Sequence, residues 1–379
     1  MLAVAAATAA SPGGAEPGAP LDPAEIGRRI PETVEDRAGW ARDVAAALAG
    51  AGRTTDPDSA CSVLAIVGQV SGFTAAVPLD RFGKYDFDGA LVRRLGAARA
   101  RLVRAALARL PGAGGSLHTR LATAHDESEL DLAFRELLGA AWTAAPALTA
   151  VADRIARFRH GLALAELNPV ATAGAMQVSV AWAARRTATP PARLTGLRDR
   201  LYTRAGGLEL GVARLFAADG RDPEPRFRFA DYNAGLYASR NAAFQEQLAS
   251  LTGAPLVLDG DLARYDRFGR RQPASATSAA LGRFAAGRTP PLGGGAILRA
   301  LELEKSAGLE TTPAWRAVRA AWRERHGAEP PYARMPAIVA VNPRTGRENP
   351  VARFAEHVEA RYRLCLAGRD VGRGRRPPE

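Results

Sequence analysis

Apolar residues recur along this chain at helical spacing, and runs that alternate apolar with polar residues are nearly absent. That contrast narrows the possible folds more than any other feature. Asp22-Pro23 and Asp56-Pro57 each pair an N-cap carboxylate with a proline in the first helical turn, where no N–H donor is needed. Trp40, Val44 and Leu48 then repeat every four residues until Gly50 and Gly52 end the run, and Ala60, Val63, Leu64, Val67 and Val70 form the stripe of a helix packed on a core. Leu91, Leu95, Leu102 and Leu110 predict one long helix with Arg93, Arg94, Arg101 and Arg104 on a solvated face, broken at 111–115 by PGAGG. Asp126 predicts the cap of a helix through Phe134, Leu137 and Leu138, and a further helix runs toward Leu167. Similar stripes surround Trp182, Phe244 with Leu248 and Leu251, Trp315 with Val318 and Trp322, and Phe354 with Val358 and Tyr362. Only Leu256-Val257-Leu258 and Ile338 to Val341 offer short strands. The expected fold class is mainly α.

With 379 residues, 47% of them hydrophobic, the chain can bury a sizeable core and cannot be wholly disordered. No apolar run approaches the roughly 20 residues that a spanning helix needs. A formal net charge of +12 raises the possibility of nucleic-acid binding. Yet Lys84 and Lys305 are the only lysines, and the arginines are spread along helices that also carry acids. This is arginine bias without a clustered footprint, so no nucleic-acid partner is expected.

Residues 1–21 hold an Ala-rich leader that fits either a remnant secretory signal or a disordered extension. The stretch from Gly287 to Gly295, GRTPPLGGG, reads as a surface linker without the lysine or preceding strand of a phosphate loop, and the tail from Gly368 is too polar to pack. His118, His125, His160, His326 and His357 show no metal-ligand spacing, and no serine-nucleophile elbow or dinucleotide glycine pattern occurs. No metal and no cofactor is expected. The two cysteines exclude a disulfide-dense scaffold but leave one pairing open.

Three separated segments remain. Gln69-Val70-Ser71-Gly72-Phe73 ends the helix that begins near Pro57; Gly174-Ala175-Met176-Gln177-Val178 is a glycine turn leading into an apolar helix; and Ala230-Asp231-Tyr232-Asn233-Ala234-Gly235 is a small-residue turn before the helix through Phe244. In this order, with Gly207 to Gly211 as helix lead-in, they resemble the lytic transglycosylase and goose-type lysozyme family. There, helix-end Glu-Ser, Gly-x-Met-Gln and Tyr-Asn-Ala-Gly segments line one glycan cleft. The resemblance implies a lysozyme-like helical domain over 22–255, a C-terminal helical extension over 256–366 and a disordered basic tail over 367–379. It implies glycan contact by Gln69, Ser71, Met176, Gln177, Tyr232 and Asn233. A hydrogen-bonded turn for Tyr232 and Asn233, and core packing for Met176, are the structural alternatives.

A narrower similarity rests on Cys61-Ser62-Val63-Leu64-Ala65, Asn168-Pro169-Val170 through Ser179, Arg228-Phe229-Ala230-Asp231 through Gln245, and Leu258-Asp259-Gly260-Asp261. These runs look like the YaiW-like bacterial envelope lipoproteins, a family without a settled activity, from about Ile30 to Cys365. Both cysteines fall where that family also has one, which implies a Cys61–Cys365 disulfide and export to the periplasm or the outer-membrane-associated cell envelope. Such a bond closes a loop long enough for a stabilisation of up to roughly 5 kcal/mol. Peripheral membrane association is compatible with this placement.

Glycosidic cleavage requires a proton on the leaving oxygen, supplied by a carboxylic acid whose pKa an apolar pocket raises. The resemblance implies that acid at position 70, where this chain has valine. Loss of a general acid costs roughly 10²–10⁴-fold in rate or more. Asp80, Glu166 and Asp231 lie nearest the motifs as substitutes, although carboxylates also favour caps and loops; Asp231 adjoins Tyr232 and Asn233. The expected function is an impaired, lytic-transglycosylase-like cleft that binds peptidoglycan glycan strands or an envelope protein. An active transglycosylase with a relocated carboxylate is the alternative, and an Arg-rich nucleic-acid binder the weaker one.

Overall fold

The computed structural model describes residues 19–373, except 82, 161–162, 219–222, 266–271, 273 and 342–347. Among them, seventeen α-helices and four short 3-10 turns carry the chain, with three two-stranded antiparallel hairpins of two or three residues per strand. The fold is mainly α. Residues 1–18 of the expected leader lie outside the described residues, but Leu21 already packs into the core and its N–H bonds Thr55 O at 2.9 Å.

The helix starts follow their caps. Asp22 and Glu25 form a reciprocal capping box at 2.7 and 2.9 Å ahead of Pro23–Arg28, and Asp56 Oδ1 accepts from Ser59 N at 2.9 Å at the head of Pro57–Val70. Each such cap is worth about 0.5–2 kcal/mol. Asp126 caps Glu127–Ala144, and Gly253 in the left-handed region ends Ala238–Thr252. The Leu91 to Leu110 stripe is not one helix. Gly96, at φ +77°, ends Phe87–Leu95 and opens Ala97–Arg109. Leu256 to Leu258 form no strand, whereas Val339–Val341 pairs with Glu348–Pro350. Gly294 and Gly295 belong to the first turn of Gly294–Glu302, so the linker is shorter than GRTPPLGGG suggests.

Two apolar cores form. The first is organised around Pro57–Val70, a helix buried on nearly every side, as its Ala, Val, Leu and Ile residues require. The second gathers Phe244, Leu248, Leu262, Leu281, Trp315 and Val318, with the Phe244 and Trp315 rings stacked at 5.4 Å. The helix Val351–Leu366 does not join this second core. Its stripe of Val351, Phe354, Val358, Tyr362 and Cys365 returns to the first core and lies along Pro57–Val70. The Cys61–Cys365 disulfide locks the pair, helped by Tyr362 OH to Asp58 Oδ1 at 2.8 Å and Arg29 Nε to the Cys365 carbonyl at 3.1 Å. The buried cores therefore divide the chain differently from a break at 255. The described residues 369–373 of the tail also pack: Val371 is fully buried and its N–H reaches Arg29 O at 3.0 Å, because one apolar side chain in a polar stretch suffices to seat it. No helix among the described residues is long and apolar enough to cross a membrane.

Candidate functional site

Pro57–Val70 stops because Gly72 and Phe73 both take positive φ, at +65° and +66°. Ser71 Oγ donates to Val67 O at 3.1 Å and accepts from Phe73 N at 3.2 Å, and Arg81 Nη2 covers the Gly68 carbonyl at 3.1 Å. This tight ending leaves Val70 at the edge of the core, facing a pocket.

The second segment is a hairpin, Thr172–Ala173 with Val178–Ser179, followed by the helix Val180–Arg186. Gly174 sits at φ +83°, and a Cβ there would lie 2.2 Å from Leu201 O, so only glycine fits. Gln177 holds φ +52°, a conformation costly for a residue with a side chain. Glu127, fully buried, fixes both ends of the turn. Its Oε1 accepts from Gly174 N at 2.6 Å and its Oε2 from Gln177 Nε2 at 2.7 Å, while Thr172 Oγ1 donates to Gln177 Oε1 at 3.0 Å. The Met176 side chain points the other way and is fully buried over Gly211 of the helix Arg204–Leu215.

Tyr232 and Asn233 occupy the last turn of Pro225–Ala234, which ends at Gly235 with φ +135°. Tyr232 OH donates to Met176 O at 2.6 Å, and burial pushes the phenol's pKa up, so it stays a donor. This bond ties the third segment to the second.

Val70, Gln177, Tyr232 and Asn233 thus border one pocket of about 380 Å³, completed by Thr172, Val178 and Ser179 of the hairpin, Arg214 of Arg204–Leu215, the turn at Ala234 and Gly235, and Phe354 of Val351–Leu366. Gln69, Ser71 and Met176 do not line it. Gln69 Oε1 accepts from Arg361 Nε at 3.1 Å, Ser71 is committed to its helix end, and Met176 is core. Asp231 does not line it either: its Oδ1 accepts from Ser239 N and Ser239 Oγ at 2.6 and 2.7 Å, capping the next helix. Glu166 caps its own turn through Ala163 N at 2.7 Å, and Asp80 is exposed elsewhere. Among the described residues no carboxylate lines the pocket. Another depression of about 460 Å³, around Leu251, Arg283 and Phe284, contains no motif residue. No group of three or more potential metal ligands occurs among the described residues.

Arg214, Phe354 and Glu127 escape sequence reasoning. Arg214 follows Gly207 and Gly211 at helical spacing, a local signal that could have drawn attention to it. Phe354 is nearly 300 residues from Val70 in sequence and gives no local sign. Glu127 follows the cap residue Asp126 and reads as an ordinary acid of a first helical turn.

A family model described as "Protein of unknown function (DUF1615)" matches residues 33–368. The chain is 32% identical over 351 residues to "Uncharacterized protein YaiW" of Escherichia coli (strain K12), covering 91% of this chain and 90% of that protein. No solved structure matches.

Proposed function

The chain belongs to the DUF1615 family of proteins of unknown function, and we propose that it is a cell-envelope protein whose pocket binds peptidoglycan glycan strands without cleaving them efficiently. The observation that carries this reading is the meeting of Val70, Gln177, Tyr232 and Asn233 in one pocket that has no carboxylate among its described lining residues. Those positions come from the three segments that resemble the glycan-cleft motifs of lytic transglycosylases, in the same order along the chain. On this reading the surrounding helices form a lysozyme-like unit, and the hairpin and Tyr232 hold sugar rings in a cleft whose acid position is occupied by valine. Valine has no proton to give, so binding is retained and general-acid catalysis is not. The Cys61–Cys365 bond supports an oxidising compartment, in keeping with export to the periplasm or the outer-membrane face.

The test is to incubate the purified protein and its Val70→Glu variant with peptidoglycan sacculi, measuring both co-sedimentation and release of anhydro-muropeptides. Co-sedimentation of both forms, with release only by the variant, is expected. Val70 is buried, and burial of a carboxyl introduced there would raise its pKa, as a proton donor needs. Robust release by the unmodified protein refutes the impaired-cleft reading, and failure to co-sediment refutes glycan binding and leaves an envelope protein as partner.

A further inference from the structure

Among the described residues Arg214 is the only charged side chain on the pocket wall, and it is the least compensated group there. Its Nη1 is out of solvent contact and has no hydrogen-bond partner, while its Nη2 reaches only the Asp231 backbone carbonyl, at 3.3 Å. The guanidinium carbon is 5.7 Å from the ring centroid of Trp182 and 5.8 Å from that of Tyr232, within reach of cation–π attraction. Other arginines on the same helices have carboxylates: Arg204 pairs with Asp36 and Asp43 at 2.8 and 2.5 Å, and Arg228 with Asp58 at 3.0 Å. Arg214 has no such pair among the described residues. The nearby carboxylate of Asp231 is turned to Ser239. Burial accordingly pushes the arginine's pKa down from its ordinary value.

An unpaired buried guanidinium is expensive, and the chain could relieve it with any neutral side chain of similar size. Its planar fork matches the two oxygens of a carboxylate or a phosphate. The remaining polar lining, Thr172, Gln177, Ser179, Tyr232 and Asn233, is uncharged and suits hydroxyl and amide groups. From this arrangement we infer that Arg214 is the anion-reading residue of the pocket and that the ligand is an acidic saccharide, one carrying a carboxylate beside its hydroxyl and acetamido groups. The inference rests on the glycan reading above and adds to it a selection for charge.

Isothermal titration of the whole protein, its Arg214→Gln variant and its Arg214→Lys variant tests it with four probes: the disaccharide of N-acetylglucosamine and N-acetylmuramic acid with its free lactyl carboxylate, neutral tetra-N-acetylchitotetraose, sodium acetate and inorganic phosphate. The acidic disaccharide is expected to bind the unmodified protein and to lose roughly tenfold or more in affinity in Arg214→Gln, as for a charge-assisted hydrogen bond. Arg214→Lys should recover only part of that affinity, and the neutral oligosaccharide should bind all three forms alike. If the acidic and neutral saccharides bind equally and Arg214→Gln changes neither, the inference fails and the glycan reading stands. If acetate or phosphate binds in an Arg214-dependent manner and no saccharide does, the anion site stands and the glycan reading fails. Should nothing bind, both fail. Arg214→Gln should melt no lower than the unmodified protein, since it removes an uncompensated charge; if it does not fold, Arg214→Lys against the acidic disaccharide decides alone, and unchanged affinity there overturns the fork-specific contact.

Discussion

Replacing Gly211 by alanine should destabilise the protein even though the residue is in the middle of a helix. Alanine is intrinsically better than glycine there by about 1 kcal/mol, partly because it restricts the unfolded chain. Against that gain, a Cβ on Gly211 would stand 2.3 Å from Met176 Sδ, 2.5 Å from its Cβ and 2.7 Å from its Cγ. Carbon atoms are comfortable at about 3.5–4.0 Å, so the overlap is about 1 Å or more. The sulfur could swing aside, but the Met176 Cβ is bound to a backbone whose carbonyl Tyr232 holds and whose turn Glu127 fixes. Relief therefore means displacing the hairpin tip, and with it Gln177. Overpacking of this kind costs about 1–3 kcal/mol. Gly139 and Gly282 provide the control, since both are in helices and a Cβ at either meets nothing within 4 Å. Subtracting the shift in Gly139→Ala from that in Gly211→Ala cancels the propensity gain and leaves the steric cost. Urea denaturation followed by circular dichroism should give Gly139→Ala and Gly282→Ala raised midpoints and Gly211→Ala a lowered one, with equal slopes. Equal stabilisation by all three substitutions would refute the notch and the positioning of Gln177 that depends on it.

Reducing the Cys61–Cys365 bond, with its sequence separation of 304, should cost up to roughly 5 kcal/mol by loop-closure entropy, and an unchanged urea midpoint with reductant would contradict this. Tyr232→Phe removes the only hydrogen bond drawn from its ring to the Met176 carbonyl and should lower stability by about 1–3 kcal/mol; a loss too small to measure would show that the carbonyl finds another donor. Glu304 is buried with its Oε2 on Leu262 N and Ala263 N, and desolvation raises its pKa despite those donors. A raised native pKa means that its stability contribution is intact below the unfolded pKa and is lost as pH rises through the native one. The stability of the protein relative to Glu304→Gln should therefore fall from acid toward neutral pH, and a flat difference across that range would show that the hydrogen bonds outweigh desolvation.

What could be read from the sequence was local chemistry. Asp22-Pro23, Asp56-Pro57 and Asp126 announce helix starts because a cap acts within one turn, and Gly253 announces a stop for the same reason. Gly96 was obscured by the leucines on either side, since a glycine inside an apolar stripe costs only about 1 kcal/mol and its left-handed backbone is invisible in the residue pattern. The pocket was legible as three segments and no further. Adjacent helical residues point about 100° apart, so Val70 can face the pocket while Gln69 reaches Arg361 and Ser71 folds back on its own helix. Met176 and Gln177 separate for a similar reason: a turn with positive φ sends one side chain into the core and the other to the wall. Phe354 was beyond reach because its place on the wall depends on a return of the chain that no local pattern records.

That return also sets the order in which the molecule can be completed. Pro57–Val70 is apolar on almost every side, and one of those sides is covered by Val351–Leu366. At a synthesis rate of about 5–20 residues per second, the partner helix follows roughly 15–60 s later. For that interval the nascent chain carries an uncovered apolar helix and an unfinished pocket, so the first core closes last although its central helix is made early. Contacts of such long sequence separation slow folding. The same helix supplies Phe354 to the pocket and Cys365 to the disulfide, so the pocket wall and the covalent lock are completed in one step.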